Sequence, residues 1–347
     1  MRLVMVARDM APSMALKKIQ KRYESEISIT SFLGFGKSIN ESMKEIERNI
    51  KTADIVLLGM SSSEELTREE ILAGLIAFDV KKPFGFFADT YNVIGRPWFS
   101  ALKNIARFLF VINKDEEKKA KLNFPNSEII ISGNPIWEDF FFPQISYRDI
   151  RRQIGVNDDE KIILCPGGKN FIVNVLHWGG VIDAVNLFNF GSNSEKFKII
   201  LAMHPGDLND PNFYVDLVKF SKVPVMITKN SPSSSQIVSG CNIVVQSAST
   251  IGIEAACQRK PVIDYFTSVA MERLKESTGC YSWEPCELGI SKAVISGSEA
   301  LRNNILNLLG KGYSSMREIQ ERIFPMPKEK GKSLEIIISS LKKFLPL

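Results

Sequence analysis

The stretch NIVVQSASTIGIEAACQRKPVIDYF, residues 242–266, contains the pattern that decides the fold. NIVVQ is a short apolar run typical of a buried strand, and SASTIGIEAACQR predicts a turn of small residues followed by a helix. A second apolar run, PVIDYF, follows the helix. Strand, helix and strand in this order, with strands that do not alternate between apolar and polar residues, indicate parallel strands of an open α/β sheet.

The same alternation of apolar runs and helical segments extends along the whole chain. A first series contains RLVMVA, ADIVLLG, PFGFFAD, RFLFVIN and SEIIISG, and a second begins with KIILCPG, FKIILAMH and VPVMIT. The length of 347 residues also favours two domains over one. The sequence therefore predicts an α/β protein with two doubly wound, Rossmann-like parallel-sheet domains.

The alternation pauses near residues 133–160, where turn residues, aromatic residues and a charged helix follow one another. We place the junction around residues 143–150, which gives an N-terminal domain of residues 1–146 and a C-terminal domain of residues 147–332. The last segment, residues 333–347, predicts an amphipathic helix that packs on a domain. Ligands of open α/β sheets bind beyond the carboxyl ends of the strands, so we expect the two domains to face a cleft that holds the site.

Composition restricts the class of protein and its partners. The net charge of +5 is mild and no basic stripe is interleaved with aromatic residues, so a nucleic-acid partner is not expected. The five cysteines show no zinc-ligand spacing, and their odd number argues against a disulfide framework. No stretch approaches the length of a membrane-spanning helix, and the first apolar run is too short for a signal peptide. We expect a cytoplasmic protein, with peripheral contact to the inner face of the membrane as an open alternative.

The turn after NIVVQ allows two interpretations. Ser247, Ser249 and Thr250 are small, so a ligand could approach the backbone, and the free amides at the start of the helix favour a phosphate. Glu254 lies four residues after Thr250 on the same helix face, where it could accept hydrogen bonds from ribose hydroxyls. Alternatively, a serine caps the helix, and the negative charge of Glu254 near the helix N-terminus interacts favourably with the helix dipole. This stretch alone does not decide between an anion site and a cap.

Two further strand ends carry residues suited to phosphate binding. In ILAMHPGD, His204 ends an apolar strand and could donate a hydrogen bond to a phosphate or transfer a proton; otherwise it is a turn histidine. In ILCPGGKN, Gly167, Gly168 and Lys169 follow a strand and form a plausible anion loop, although the spacing matches neither a Walker loop nor a dinucleotide fingerprint. A plain turn between strand and helix is the alternative.

Asp89 ends a strand of the first series, in GFFADTYNVIGRP. A carboxylate at such a position could serve as a general base, and its alternative role is to cap the next segment. The sequence shows no cluster of metal ligands, so neither a metal nor another cofactor is expected.

Together these pieces resemble the GT-B superfamily of nucleotide-sugar enzymes. ISGNPIWEDF resembles the Gly-Asn-Pro signature that ends the first domain in lipid-A-disaccharide synthase and the UDP-N-acetylglucosamine 2-epimerases, and MHPGD resembles a strand-end His-Pro of several members. The stretch from residue 231 to residue 265, with its Ser/Thr turn and glutamate-bearing helix, resembles the most characteristic part of the superfamily. The order of these pieces matches along almost the whole chain.

The resemblance implies a nucleotide-sugar substrate, UDP- or CMP-linked, held mainly by the C-terminal domain. By position, Ser249 and Thr250 would contact the phosphates, Glu254 the ribose, and His204 the phosphates or the sugar. It also implies that the helix at residues 333–347 returns to the N-terminal domain.

The resemblance leaves three functions open. The turn differs from the Asp-Ser-Gly-Gly turn and consecutive glutamates of the 2-epimerases, because Ala255 follows Glu254. We therefore predict first a metal-independent glycosyltransferase of bacterial surface-glycan synthesis, with a glycan or glycolipid acceptor and with Asp89 as its base. The alternatives are a nucleotide-sugar 2-epimerase or hydrolase, which needs several carboxylates and no acceptor, and a non-catalytic sugar-nucleotide-binding protein.

Overall fold

A computed structural model describes residues 1–34, 39–188, 196–295, 297–327 and 329–345. The chain divides into two compact units, and the division falls after Glu138. The first unit comprises Met1–Glu138, Ser277–Gly279 and Glu329–Leu347; the second comprises Asp139–Glu276 and Cys280–Lys328.

The strands form two sheets whose members all pair in parallel. In chain order they are β1 (Arg2–Ala7), β2 (Ser28–Leu33), β3 (Ile55–Leu58), β4 (Phe84–Phe87), β5 (Phe108–Val111), β6 (Glu128–Ile131), β7 (Glu160–Pro166), β8 (Lys196–Met203), β9 (Val225–Lys229), β10 (Ile243–Gln246), β11 (Val262–Phe266) and β12 (Lys292–Ile295). The first sheet has the order β2-β1-β3-β4-β5-β6, and the second has the order β12-β11-β10-β7-β8-β9.

Helices connect successive strands. They are α1 (Met10–Tyr23), α2 (Ile39–Thr52), α3 (Arg68–Asp79), α4 (Lys114–Asn123), α5 (Pro135–Phe140), α6 (Tyr147–Gln153), α7 (Phe171–Asn186), α8 (Val215–Val218), α9 (Ser234–Gly240), α10 (Thr250–Cys257), α11 (Ser268–Thr278), α12 (Glu284–Glu287), α13 (Ser298–Leu309), α14 (Tyr313–Ile323) and α15 (Lys332–Lys343). Short 3₁₀ segments occur at Val93–Gly95, Pro97–Leu102 and Pro211–Tyr214.

In the first unit, both faces of the sheet are covered. Alternate residues of the strands point to opposite faces. On one face, Val4 and Val6 pack with residues of α2 and α3; on the other, Leu3 and Met5 pack with residues of α1 and α15. The last helix thus belongs to the core of the first unit, where its apolar stripe, Ile337, Ile338 and Leu341, is almost fully buried.

The second unit repeats this arrangement. One face of its sheet packs on α7 and α13, and the other packs on α6, α9 and α10. Two parallel sheets, each covered by helices on both faces, confirm the predicted fold class of two doubly wound α/β domains. The division after Glu138 lies a few residues before the junction that we drew from the sequence.

Two strands were not predicted from the sequence, and both are at sheet edges. β2, SITSFL, contains two serines and a threonine, and none of its residues is fully buried. β12, KAVI, buries a single residue. An edge strand is covered on fewer sides and does not need the continuous apolar run of a central strand. The other two edge strands, β6 and β9, carry such a run and were predicted.

Candidate functional site

The second unit has a cavity of about 230 Å³ at the carboxyl edge of its sheet. It lies beyond β7, β8 and β10. The chain runs outward from β7 in one direction and from β10 in the other, so these neighbouring strands flank the topological switch point where open α/β sheets bind ligands. Its lining residues are Pro166, Gly167, Gly168, Lys169, Val173, Asn174, His177, His204, Ser247, Ala248 and Ser249.

The glycine loop after β7 is fixed by Asn174 of α7. The Asn174 side chain accepts a hydrogen bond from Gly168 N at 2.7 Å and donates one to Gly168 O at 2.9 Å. A Cβ atom at Gly167 would lie 2.7 Å from Trp178 Cζ2, so only glycine fits there without a shift. The loop therefore places the exposed Lys169 beside the cavity in a defined conformation.

His204, at the end of β8, supplies a hydrogen-bond donor to the cavity. Its Nδ1 accepts a hydrogen bond from Gly206 N at 2.8 Å, which leaves the proton of a neutral ring on Nε2. Burial lowers the pKa of His204, and nearby Lys169 lowers it further. The imidazole is therefore neutral at pH 7, with one ring nitrogen engaged in the turn and the other available as a donor.

The turn between β10 and α10 is organised by Asp264 of β11. Ala248 N donates to Asp264 Oδ1 at 2.9 Å, and Gln246 Nε2 donates to the same oxygen at 3.1 Å. Ser291 Oγ donates to Asp264 Oδ2 at 2.6 Å. Burial raises the pKa of Asp264, and these donors oppose the shift. Ala248 has a left-handed backbone with φ 48°, so its hydrogen bond stabilises a conformation that alanine rarely adopts.

Replacement of Asp264 by alanine is expected to lower the free energy of unfolding by about 2–3 kcal/mol, because buried donors lose their acceptor. The turn at residues 247–249 should also lose its fixed conformation, so the phosphate binding that the sequence predicts for this turn should weaken. Urea unfolding and calorimetry with a nucleoside diphosphate measure the two effects. Asp264→Asn, which keeps one carbonyl acceptor, is the matched control and should retain more of both. Wild-type stability and affinity in Asp264→Ala would contradict this role.

Ser249 both caps α10 and lines the cavity. Its Oγ accepts a hydrogen bond from Ile251 N at 3.3 Å, so the capping interpretation describes a contact that is present. Thr250, the first helical residue, is exposed and lies outside the residues that line the cavity. This cap uses the backbone N–H of Ile251, and Ser249 still lines the cavity while it accepts that hydrogen bond.

Glu254 is 5% exposed and also lies outside the cavity lining. Its Oε1 accepts a hydrogen bond of 2.5 Å from Ser235 Oγ of the neighbouring helix α9. Burial raises the pKa of Glu254 to about 7, and the Ser235 hydrogen bond opposes this rise. Ser235 is exposed, so the hydrogen-bond donor of the Glu254 carboxyl group lies at the protein surface.

The first unit carries a second polar cluster, at the carboxyl ends of β1, β3 and β4. Arg8 follows β1; its Nε lies 2.6 Å from Glu69 Oε2, and its backbone N–H donates to Glu70 Oε1 at 3.1 Å. Ser61, after β3, donates to the same Glu70 carboxylate from Oγ at 2.5 Å and from its backbone nitrogen at 3.0 Å. Asp9 N donates to Ser61 Oγ at 2.9 Å, and the partly exposed Asp9 carboxylate accepts from Ser62 N at 3.1 Å.

Asp89 lies in this cluster, 3% exposed after β4. Burial raises its pKa to about 7, Arg96 opposes the rise, and Asp9 adds to it. Burial likewise raises the pKa of Glu70 to about 7. The Glu70 carboxylate is held by Ser61, whereas no hydrogen bond from another side chain to the Asp89 carboxyl group occurs among the described residues. Of the two groups, Asp89 is therefore the freer to exchange a proton near neutral pH.

The predicted residues thus fall into three sets. The cavity of the second unit brings together Gly167, Gly168, Lys169, His204, Ser247 and Ser249. Thr250 and Glu254 lie on α10 next to it, and Asp89 lies in the first unit.

Several residues of these sites were not recognised in the sequence. Arg8 and Asp9 directly follow the first strand, so the rule that ligands meet strand ends could have identified them. Glu69 and Glu70 resemble first-turn acids of α3, and nothing in the sequence indicates that they are buried. His177 is buried on α7, with Nε2 3.1 Å from Val245 O, and it also lines the cavity.

Two features are absent from the described residues. No group of three or more histidine, cysteine, aspartate or glutamate side chains there is arranged to hold a metal ion. Nor does that part of the chain contain a helix with the length and apolar character needed to cross a membrane.

Comparison with known proteins identifies the fold. No family model matches the chain, and neither does any curated protein. Solved structures do match over 99% of it. A UDP-GlcNAc 2-epimerase from Neisseria meningitidis, solved with UDP-GlcNAc bound, is 16% identical, with a TM-score of 0.62 and 100% of its own chain covered.

Two further structures extend this likeness. A UDP-GlcNAc 2-epimerase from Methanocaldococcus jannaschii is 15% identical, with a TM-score of 0.64 and 100% of its chain covered. A glycosyltransferase from Rickettsia africae is 15% identical, with a TM-score of 0.63 and 98% of its chain covered. At such identities the likeness establishes the fold: the chain has the GT-B fold of these enzymes. The narrower resemblance to lipid-A-disaccharide synthase stays a prediction.

Proposed function

We propose that this chain is an enzyme that acts on a nucleotide sugar. The observation that carries the proposal is the cavity of the second unit, where Gly168, Lys169, His204 and Ser249 meet at the switch point of a GT-B sheet. A lysine, a neutral imidazole donor and the hydroxyl group of Ser249, all lining the cavity, suit the phosphates of a nucleoside diphosphate. The substrate is UDP- or CMP-linked, and UDP is favoured because the similar 2-epimerase structure holds UDP-GlcNAc.

Within this class we propose a 2-epimerase or hydrolase reaction, which needs carboxyl groups and no acceptor. The first unit supplies a cluster of four carboxylates, Asp9, Glu69, Glu70 and Asp89, with Arg8 and Arg96 beside them. Asp89 is the proton-transfer group, since its pKa of about 7 lets it accept and return a proton near neutral pH. The diphosphate is stabilised in the second unit by Lys169, His204 and Ser249.

A glycosyltransferase is the second candidate, and one observation favours it. Ala255, which follows Glu254, is completely buried in the core of the second unit, so a second carboxylate next to Glu254 has no place there. A transferase of glycan or glycolipid acceptors would use Asp89 to deprotonate the acceptor hydroxyl. For both candidates we propose a cytoplasmic location, since among the described residues no cysteine forms a disulfide, as in reducing compartments.

A panel of UDP-, CMP-, GDP- and dTDP-sugars tests the proposal. Binding is measured by thermal shift, because a ligand of the native state raises its apparent stability. Each donor that binds is then incubated alone and with glycan acceptors, and products are separated by chromatography. Epimerised or hydrolysed donor without acceptor supports the first candidate, and turnover that requires an acceptor supports the second. Binding without turnover identifies a binding protein, and no binding by any donor overturns the proposal.

Replacement of Glu254 by alanine is expected to weaken nucleotide-sugar binding about tenfold, because the proposed ribose hydroxyls lose a carboxylate acceptor. Isothermal titration calorimetry with the donor from the panel measures the effect. Glu254→Gln retains an acceptor oxygen and should lose less affinity. Unchanged affinity in both variants would restrict Glu254 to its contact with Ser235.

Turnover is expected to persist in the presence of a chelator. The reason is that Lys169, His204 and Ser249 can compensate the charge of a leaving diphosphate without a metal ion. Initial rates with and without EDTA, after exhaustive dialysis against the chelator, measure this. If activity is lost and a divalent cation restores it, then a metal ion and not the proposed donors stabilises the leaving diphosphate.

A further inference from the structure

The first unit contains a large cavity at the sheet edge opposite to its polar cluster. Its volume is about 850 Å³, and it is lined by the segments that lead into β4 and β5 and by the end of α15. Asp89 follows the carboxyl end of β4, whereas this cavity adjoins the amino end of the same strand. The cavity is therefore separate from the residues that we assign to the reaction.

The charge of this cavity is strongly one-sided. Its ionisable lining consists of Lys81, Lys82, Arg107 and Lys343 with a single acid, Asp54. Asp54 is already paired with Arg2, whose Nη2 lies 2.8 Å from Asp54 Oδ1. In the described ranges, no ion pair joins any of the four lining cations to an acidic group. Such a concentration of uncompensated positive charge attracts anions.

An apolar surface continues from the cavity along α3. Leu72, Leu75 and Phe78 are 41%, 40% and 55% exposed, and Phe78 also lines the cavity. The opposite side of α3, with Ala73 and Ala77, packs in the core. A surface helix normally presents polar residues to water, so an apolar outer face is typical of a surface that is covered by another apolar phase.

We propose that this surface docks on a membrane that contains anionic lipids. We call it the α3 surface: Leu72, Leu75 and Phe78 together with the four cations of the cavity. Anionic headgroups match the cations, and the acyl boundary covers the apolar face of α3. A free phosphate compound would leave that face in water, and a second copy of the chain would have to bring an acidic complement. The inference does not depend on the proposed nucleotide-sugar reaction.

Sedimentation of the full chain with lipid vesicles tests the proposal. Vesicles of equal parts phosphatidylglycerol and phosphatidylcholine are compared with vesicles of phosphatidylcholine alone. We expect binding to the anionic vesicles only, weakened by salt. K81E/K82E should reduce the partition coefficient by about a hundredfold or more, since each cation near an anionic surface contributes about 1 kcal/mol. L75S/F78S, on exposed positions, should also reduce it while the circular-dichroism spectrum is unchanged.

The matched control is K292E/K311E, which makes the same charge change at exposed positions of the second unit. It should bind anionic vesicles nearly as well as the wild type. Equal vesicle binding by K81E/K82E and wild type, or a lack of wild-type binding to anionic vesicles, overturns the proposal. A wild-type dimer that L75S/F78S dissociates, with no vesicle binding, would assign the α3 surface to a second copy of the chain and overturn it as well.

Discussion

Asp89→Asn is expected to lower turnover by about 10²–10⁴-fold, the range typical of a lost general acid or base. The amide has nearly the same shape as the carboxyl group but cannot accept the proton. Nucleotide affinity should stay close to the wild-type value, because the proposed phosphate contacts lie in the second unit. Steady-state rates with the donor identified in the panel, together with calorimetry, separate the two quantities.

The pH profile provides a sharper test of the same residue. A base with a pKa of about 7 is protonated in acid, so the wild-type rate should rise as pH increases through 7 and the carboxylate forms. The residual rate of Asp89→Asn should lack this rise. Asp79→Asn, at an exposed position of α3, is the control and should retain both rate and profile. A wild-type rate in Asp89→Asn would remove this residue from the reaction.

His204→Ala is expected to lower turnover by about 10²–10³-fold, as for the loss of a donor that stabilises developing charge. The imidazole has two separable functions, because Nδ1 accepts from Gly206 N and Nε2 carries the proton. His204→Asn places an oxygen near the position of Nδ1, and His204→Gln places an amide donor near that of Nε2. Rate and thermal stability are measured for all three variants.

The pattern across these variants distinguishes structure from chemistry. Stability should be lowest in His204→Ala and largely restored in His204→Asn, since the turn at Gly206 regains an acceptor. Turnover should be restored in part only by His204→Gln, which returns the donor to the phosphate. If His204→Asn restores turnover along with stability, then His204 only shapes the turn and takes no part in the reaction.

The order of apolar runs was sufficient to predict the fold class. A central parallel strand is buried on both faces, so it needs a continuous apolar run, and ten of the strands carry one that is visible in the sequence. The same logic placed the candidate residues, because in parallel sheets the residue after a strand lies at one common edge. Gly167, His204 and Ser247, separated in sequence, thus line one cavity.

What only the tertiary structure decided is how each polar group is surrounded. Asp264 and Glu70 lie in ordinary strand and helix patterns, yet both are completely buried and organise the turns beside the two candidate sites. Burial depends on neighbours that are distant in sequence, such as Ser291 for Asp264 and Arg8 for Glu70. The pKa of a carboxyl group depends on that desolvation and on those partners, so a local pattern could identify Asp89 as a candidate base but could not show that its pKa is near 7.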